Sequence, residues 1–250
     1  MADNVLMSEM SWTEIEQALK ERPIALVPVG NTEAHGPHLP VAADTVIAVE
    51  AARRTALRLK QKSLHALIAP PVTFCVSELG AEFPGTVSLP PDTAVALLRD
   101  VSVALAKKFR AIAFINVNQE PANLEAQKRA AEEAKKAGAG VCVTDLTKKR
   151  WSDRLGASFN AGDHAGSFET SLMLACAPEM VREKERISLP PMDALGPALR
   201  KGAKSFAEAG GEDAYFGDPT AASAEEGEAH LNTLADIFTL SIMEYLGSKA

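Results

Sequence analysis

The chain has 250 residues, of which 46% are hydrophobic and 24% charged, and its formal net charge is −7. That apolar content can fill one sizeable core, and a single α/β domain over 1–250 can reach this length without splitting. The acidic balance excludes a nucleic-acid partner, which would need a basic face, and no run approaches the roughly 18 apolar residues of a membrane span.

Ser11, with Glu14 three residues on, is a capping-box signature, and Trp12, Ile15 and Leu19 then share one helical face. The continuous apolar run Ile24 to Val29 predicts a buried strand. Residues 30–43, rich in Gly, Pro, His and acids, predict a loop, and a helix begins at Asp44 or Thr45 and runs to about Lys60. Leu67 to Phe74 predicts a second strand, irregular or at an edge because it holds Pro70 and Pro71. A long loop leads to Pro91, and Asp92 is expected to cap a helix ending near Lys108.

Ala111 to Val117 predicts a strand, Pro121 suits the first turn of a helix to about Lys136, and Ala139 to Thr144 predicts another strand. From 148 to 163 the chain reads as loop, with Lys148, Lys149 and Arg150 solvated. Ser167 to Ala177 predicts a helix, and 186–222 shows no clear period. A last helix, Ala224 to Leu246, places Leu231, Leu234, Ile237, Phe238, Ile242 and Tyr245 on one face. This alternation predicts an α/β fold, a mostly parallel sheet with helices on both faces. Cys75, Cys142 and Cys176 form no C-x-x-C and read as small core thiols, and Met1 to Glu21 lacks a signal-peptide layout, so a cytoplasmic chain is expected.

In open α/β sheets, functional groups gather in loops at the carboxyl ends of strands. Three such loops carry polar clusters. In the first, Glu33 and His35 point the same way if the segment is extended, and Asp44 returns at the next helix start. Two carboxylates and an imidazole suit Zn²⁺ or Mn²⁺; the bland alternative is a capping Asp44 and an exposed Glu33. The second loop, Asn116 to Pro121, contains Glu120, and its composition reads first as a turn with a capping acid. In the third, His164 and Glu169 open a helix, where they could form an acid/base pair or a surface His beside a satisfied cap. His38 could orient a ligand or make a local backbone bond, whereas His65 and His230 read as structural or exposed.

The segments PVGNTEAHGPHLPVAADT at 28–45, FPGTVSL at 83–89, DHAGSFETSLML at 163–174 and GDPTAASAEEGE at 217–228 together resemble the creatininase family of metal-dependent amidohydrolases. The resemblance implies a flavodoxin-like α/β fold, a divalent-metal site and assembly into hexamers. It implies Glu33, His35 and Asp44 as metal ligands, with Asp44 bridging, His164 as acid/base and Glu169 as the adjacent functional glutamate. It also implies an N-G-H loop after the third strand, where this chain has Asn116-Val117-Asn118, and a His where it has Gly80. Glu120 falls on a family metal-binding glutamate, so His35, Asp44 and Glu120 could hold one tight ion, with a second beside Glu33, Asp44 and Asn118 weak or absent.

The implied activity is hydrolysis of a cyclic or linear amide of a small molecule. Two alternatives stay open: ring-opening C–C hydrolysis of a polyhydroxylated ketone, and a non-catalytic metal- or metabolite-binding relative. A nucleotide-dependent oxidoreductase is disfavoured, since neither G-x-G-x-x-G nor G-x-x-x-x-G-K-[ST] follows any predicted strand.

Overall fold

The computed structural model describes residues 4–247, so the two ends of the expected 1–250 domain lie outside the described residues. The first half runs α1 (Trp12–Leu19), β1 (Ile24–Pro28), α2 (Ala43–Gln61), β2 (Ala66–Ile68), α3 (Pro91–Ala106) and β3 (Ala111–Ile115). It continues with α4 (Pro121–Lys136), β4 (Val141–Val143), α5 (Lys149–Ala161), α6 (Ser167–Cys176), α7 (Glu183–Arg186), α8 (Leu195–Arg200) and α9 (Ala224–Gly247). The capping box of α1 is present in full, with Ser11 and Glu14 exchanging bonds.

The strands form one parallel sheet in the order β2-β1-β3-β4, with Ile24 beside both Ala66 and Ala111. Strand residues alternate between two apolar layers, as the pleat requires. Ile24, Leu26, Ala111, Ala113 and Ile115 face a core shared with α2, α5, α6 and α9. Ala25, Val27, Ile112 and Phe114 face the opposite core, built with α1, α3 and α4. The expected parallel α/β sheet with helices on both faces is therefore the observed architecture. The chain leaves β1 for β2 on one side and returns to β3 on the other, so the crevice between the loops after β1 and β3 is the topological switch point.

Three expectations need correction. The second strand stops at Ile68, because Pro70 and Pro71 break the ladder and only Val72 rejoins it, by a single bridge to Val29. Residues 149–161 are helical, not loop. Trp151, Leu155 and Phe159 are buried at four-residue spacing, but Gly156, at φ 91°, kinks the helix and interrupts its period. Asp92 makes no cap; Pro90 is the N-cap residue and Asp92 instead meets Arg129 at 2.7 Å. Among the described residues, no helix is long and apolar enough to cross a membrane.

The aperiodic stretch 186–222 adopts α8 and joins two antiparallel bridges, His164 to Phe216 and Met192 to Gly217. It folds back on the β1 loop and on the start of α6, placing Phe206 and Leu195 in a small apolar cluster beside the crevice.

Candidate metal centre

The segment after β1 buries Asn31, Glu33 and His35. Its position is set by Asn31, whose amide donates to the Val76 carbonyl at 3.1 Å, and by Thr32, whose hydroxyl donates to Thr73 at 2.9 Å. His35 donates from Nδ1 to the Glu33 carbonyl at 2.9 Å, since a carbonyl can only accept. That bond commits Nδ1 as a donor and leaves Nε2 as the nitrogen a cation could take once its proton is displaced. The Nε2 atom is buried, without a hydrogen-bond partner, 3.5 Å from Asp44 Oδ1 and 3.6 Å from Glu169 Oε2. Ligands held about 2.0–2.2 Å from a tetrahedral zinc ion stand roughly 3.3–3.6 Å from one another. The set therefore fits a divalent ion.

Asp44 sits in the first turn of α2 and Glu169 in the first turn of α6. Three further acids are buried close by, Glu33, Glu120 and Asp163, and among the described residues no Lys or Arg lines the cavity they share. Buried carboxylates without a countercharge are costly, which itself favours a cation. Burial, with Asp44 alongside, holds the Glu33 carboxyl well above the usual range. Burial pushes Glu169 up to about 8 and Glu120 to about 7. Burial pulls the His35 imidazole down, but Asp44, Glu169 and Glu33 outweigh it and raise it to about 10, so a bound ion would displace a proton there.

His164 donates from Nε2 to the Ala34 carbonyl at 2.9 Å, which leaves Nδ1 bare and 3.8 Å from Glu169 Oε2. Burial and the neighbouring His35 hold this imidazole well below its usual range, so it is neutral. Its ring lies 4.5 Å from that of His35 and 4.4 Å from that of Phe206, centre to centre. Donor atoms from Glu33, His35 and His164, and from His35, Asp44 and Glu169, form two overlapping groups, each within 4.8 Å.

The structure thus gathers Glu33, His35, Asp44, His164 and Glu169. Glu120 belongs to neither group; its Oε1 accepts the Glu78 N–H at 2.8 Å and its Oε2 is buried without a partner. In the second group it is Glu169 that stands beside His35 and Asp44. Nor does Asn118 turn an oxygen to the carboxylates: its amide nitrogen faces Glu33 and Asp44, each at 3.0 Å.

His38 neither binds at the centre nor bonds to its local backbone. Its Nε2 meets the Thr170 hydroxyl at 2.9 Å, and that hydroxyl in turn donates to the Ala165 carbonyl at 3.1 Å. His38 therefore ties the loop carrying His164 and Glu169 to the β1 loop. Asp163, legible from sequence only as a loop residue, accepts from the N–H groups of Gly166 and Phe168 at 3.2 Å and so caps the start of α6. Its signal was an acid followed by a small-residue turn before a helix. Phe206, in an aperiodic stretch, had none. Gly80 lies close under the site, where a Cβ would stand 3.0 Å from the Phe206 ring and 3.3 Å from the Glu33 side chain.

A cavity of about 240 Å³ opens onto Glu33, Glu169 and His164. Leu79, Phe159, Leu195, Leu199 and Phe206 give it apolar walls, and Gln119 and Asn160 supply neutral polar groups.

A parallel α/β sheet with a buried imidazole–carboxylate cluster at its switch point defines the class: an α/β protein with a metal-binding centre in a small-ligand cavity. The creatininase family pattern, described as creatinine amidohydrolase, matches residues 8–241. The chain belongs to the creatininase family. It is 31% identical over 238 residues to the mycofactocin precursor peptide peptidase of Mycobacterium ulcerans, covering 92% of this chain and 89% of that one. It is 27% identical over 210 residues to the creatinine amidohydrolase of Pseudomonas putida, covering 76% and 79%. The fold matches a manganese creatininase at a TM-score of 0.73 and 24% identity over 97% and 98% of the two chains. A mutant creatininase of Zn–Zn type matches at the same TM-score and 23% identity over the same shares.

Proposed function

We propose that the chain is a divalent-metal hydrolase that cleaves an amide C–N bond, in a small molecule or a peptide. The observation that carries this reading is the buried Nε2 of His35 turned between Asp44 and Glu169, with the bare Nδ1 of neutral His164 alongside. His35, Asp44 and Glu169 would hold the ion, with Glu33 beside them. When bound, a Zn²⁺ or Mn²⁺ ion supplies a Lewis acid for the carbonyl and lowers the pKa of water.

The remaining steps belong to the protein. His164 is neutral and its tautomer is fixed by Ala34, so Nδ1 can accept a proton from water and pass it to the leaving nitrogen. The Phe206 ring covers His164 and limits access of bulk water. Peptide amides enter the reading because the mycobacterial relative at 31% identity is a peptide peptidase, and because the cavity wall is apolar and uncharged beyond its acids.

The chain works in this reading as one domain in the cytoplasm, without nucleic-acid or membrane partners, and assembles with copies of itself into a hexamer. Support comes from Val41, Phe74 and Val87, exposed apolar residues on segments adjoining the β1 loop, where Val87 N–H meets the Thr32 carbonyl and Gly85 lies against Val41.

The test is a panel of lactams, linear amides and short peptides offered to protein loaded with Zn²⁺ or Mn²⁺, beside chelator-stripped protein. Metal-dependent release of an amine or amino acid from any member is expected. Amide cleavage that persists unchanged after metal removal, or loaded protein inert across the panel, would sink the reading.

A further inference from the structure

The loop after β3 places Asn118 between two buried carboxylates, and the orientation of its amide is fixed from outside. Glu120 N–H donates to Asn118 Oδ1 at 2.9 Å, and a backbone N–H cannot accept. Asn123 Nδ2 reaches the same oxygen at 3.2 Å. The orientation of Asn123 is fixed in turn: its nitrogen also meets Asn31 Oδ1, because the Asn31 nitrogen is committed to the Val76 carbonyl. A flipped Asn118 would set nitrogen against two donors and oxygen against two carboxylates. The Nδ2 group therefore faces inward, donating to Glu33 Oε2 and Asp44 Oδ2 at 3.0 Å each. Both protons of that NH₂ are used, and it offers no lone pair to a metal.

We propose that Asn118 takes, with its own amide, the place between Glu33 and Asp44 that a second cation would fill, so that the centre holds one ion per chain. This rests on the metal reading above. The two N–H bonds join the loop after β1 to the start of α2 on one side of the cluster. They commit one oxygen of Glu33 and one of Asp44, while Asp44 Oδ1 stays turned to His35 Nε2. A single ion then sits on the His35 side, and Asn118 is a positioning residue that holds two acids in place without ligating.

The experiment counts ions. Protein grown with added Zn²⁺, and separately with Mn²⁺, is dialysed against metal-free buffer, and ions per chain are read by elemental analysis. One is expected for the natural chain. Asn118→Asp is nearly isosteric, can still accept the Glu120 N–H, and turns an oxygen toward Glu33 and Asp44. Three facing carboxylates should bind a second ion at least tenfold more tightly and bring the count to two. In the Mn²⁺ form, electron paramagnetic resonance should change from an isolated six-line signal to a spin-coupled pair, a change that a merely structural role would not produce. Circular dichroism checks that both proteins are folded, and Asn118→His gives a second variant with a basic lone pair.

Two ions retained by the natural chain would overturn the assignment of Asn118 and leave the metal reading intact. One ion in the natural chain and in both folded variants would also overturn it. No ion in any of the three would overturn the metal reading, and this inference with it.

Discussion

Gly30→Ala tests how the fold positions the centre. Gly30 lies two residues beyond β1 and against the first turn of α2, where a Cβ would stand 2.6 Å from both the backbone N and Cα of Thr45. Those atoms cannot rotate away. Reaching the 3.4 Å of ordinary contact requires 0.8 Å of movement between β1 and α2. Ile47, Ala48, Ala51 and Ala52 are fully packed on the same helix, so the shift opens contacts along it. Overpacking against backbone belongs at the upper end of the usual range, about 3 kcal/mol. In a chain of this size that lowers the melting temperature by roughly 6–12 °C.

The same movement carries Asp44, the neighbour of Thr45, away from His35 Nε2, now 3.5 Å from its Oδ1. Metal sites tolerate ligand displacements of only about 0.2 Å, so affinity should fall at least tenfold. Urea unfolding of the stripped protein measures the first effect, and competition with a coloured chelator measures the second. A variant with natural stability would show that the close approach is not tight. Lower stability with unchanged affinity would show that Asp44 is not held by the start of α2.

His164→Ala should reduce turnover on whichever amide is cleaved by roughly 10²–10⁴-fold while metal content is kept, and near-normal turnover would assign the proton transfer elsewhere. His38 is fully buried and held down to about 4 by its burial, so the folded chain refuses a proton that the unfolded chain accepts near the ordinary 6.5. Stability should be complete above about pH 6.5 and fall by about 2–3 kcal/mol as the pH drops toward 4. Urea midpoints in His38→Gln, whose amide can still donate to Thr170, should follow a flatter pH slope, and equal slopes would refute the assignment. Light scattering at micromolar concentration should return a mass near six chains, and a monomer would refute the proposed assembly.

The parallel sheet was legible because β1 and β3 are buried on both faces and so appear as unbroken apolar runs. Helix α5 was not, although Trp151, Leu155 and Phe159 keep a four-residue period, because Gly156 and a basic start break the local pattern. At the centre, Glu33, His35 and Asp44 were legible as hard donors at a strand end, and His164 and Glu169 as polar groups at a helix start. What sequence could not give is which acid faces which base. The resemblance sets Glu120 beside His35 and Asp44, and Glu169 beside His164. The Glu78 N–H draws Glu120 aside, and the turn into α6 brings Glu169 in. The direction of the Asn118 amide was likewise invisible, because it is decided by donors from residues 120 and 123.

The acids of this centre come from separate parts of the chain: Glu33 from the loop after β1, Asp44 from α2, Glu120 from the loop after β3 and Glu169 from α6. Unfolding disperses them, so an ion that binds the folded cluster has no comparable site in the unfolded chain. Metal should therefore stabilise the fold by mass action, by about 2.7 kcal/mol when the free ion is 100-fold above its dissociation constant. Once the site is saturated, each further tenfold rise in free ion adds about 1.4 kcal/mol for every ion that unfolding releases. Urea unfolding in metal buffers thus counts ions without any assay of activity. One ion per chain predicts a slope near 1.4 kcal/mol per decade, and a filled pair predicts twice that. A stability that ignores free Zn²⁺ and Mn²⁺ across several decades would mean that His35, Asp44 and Glu169 hold no metal, whatever their spacing.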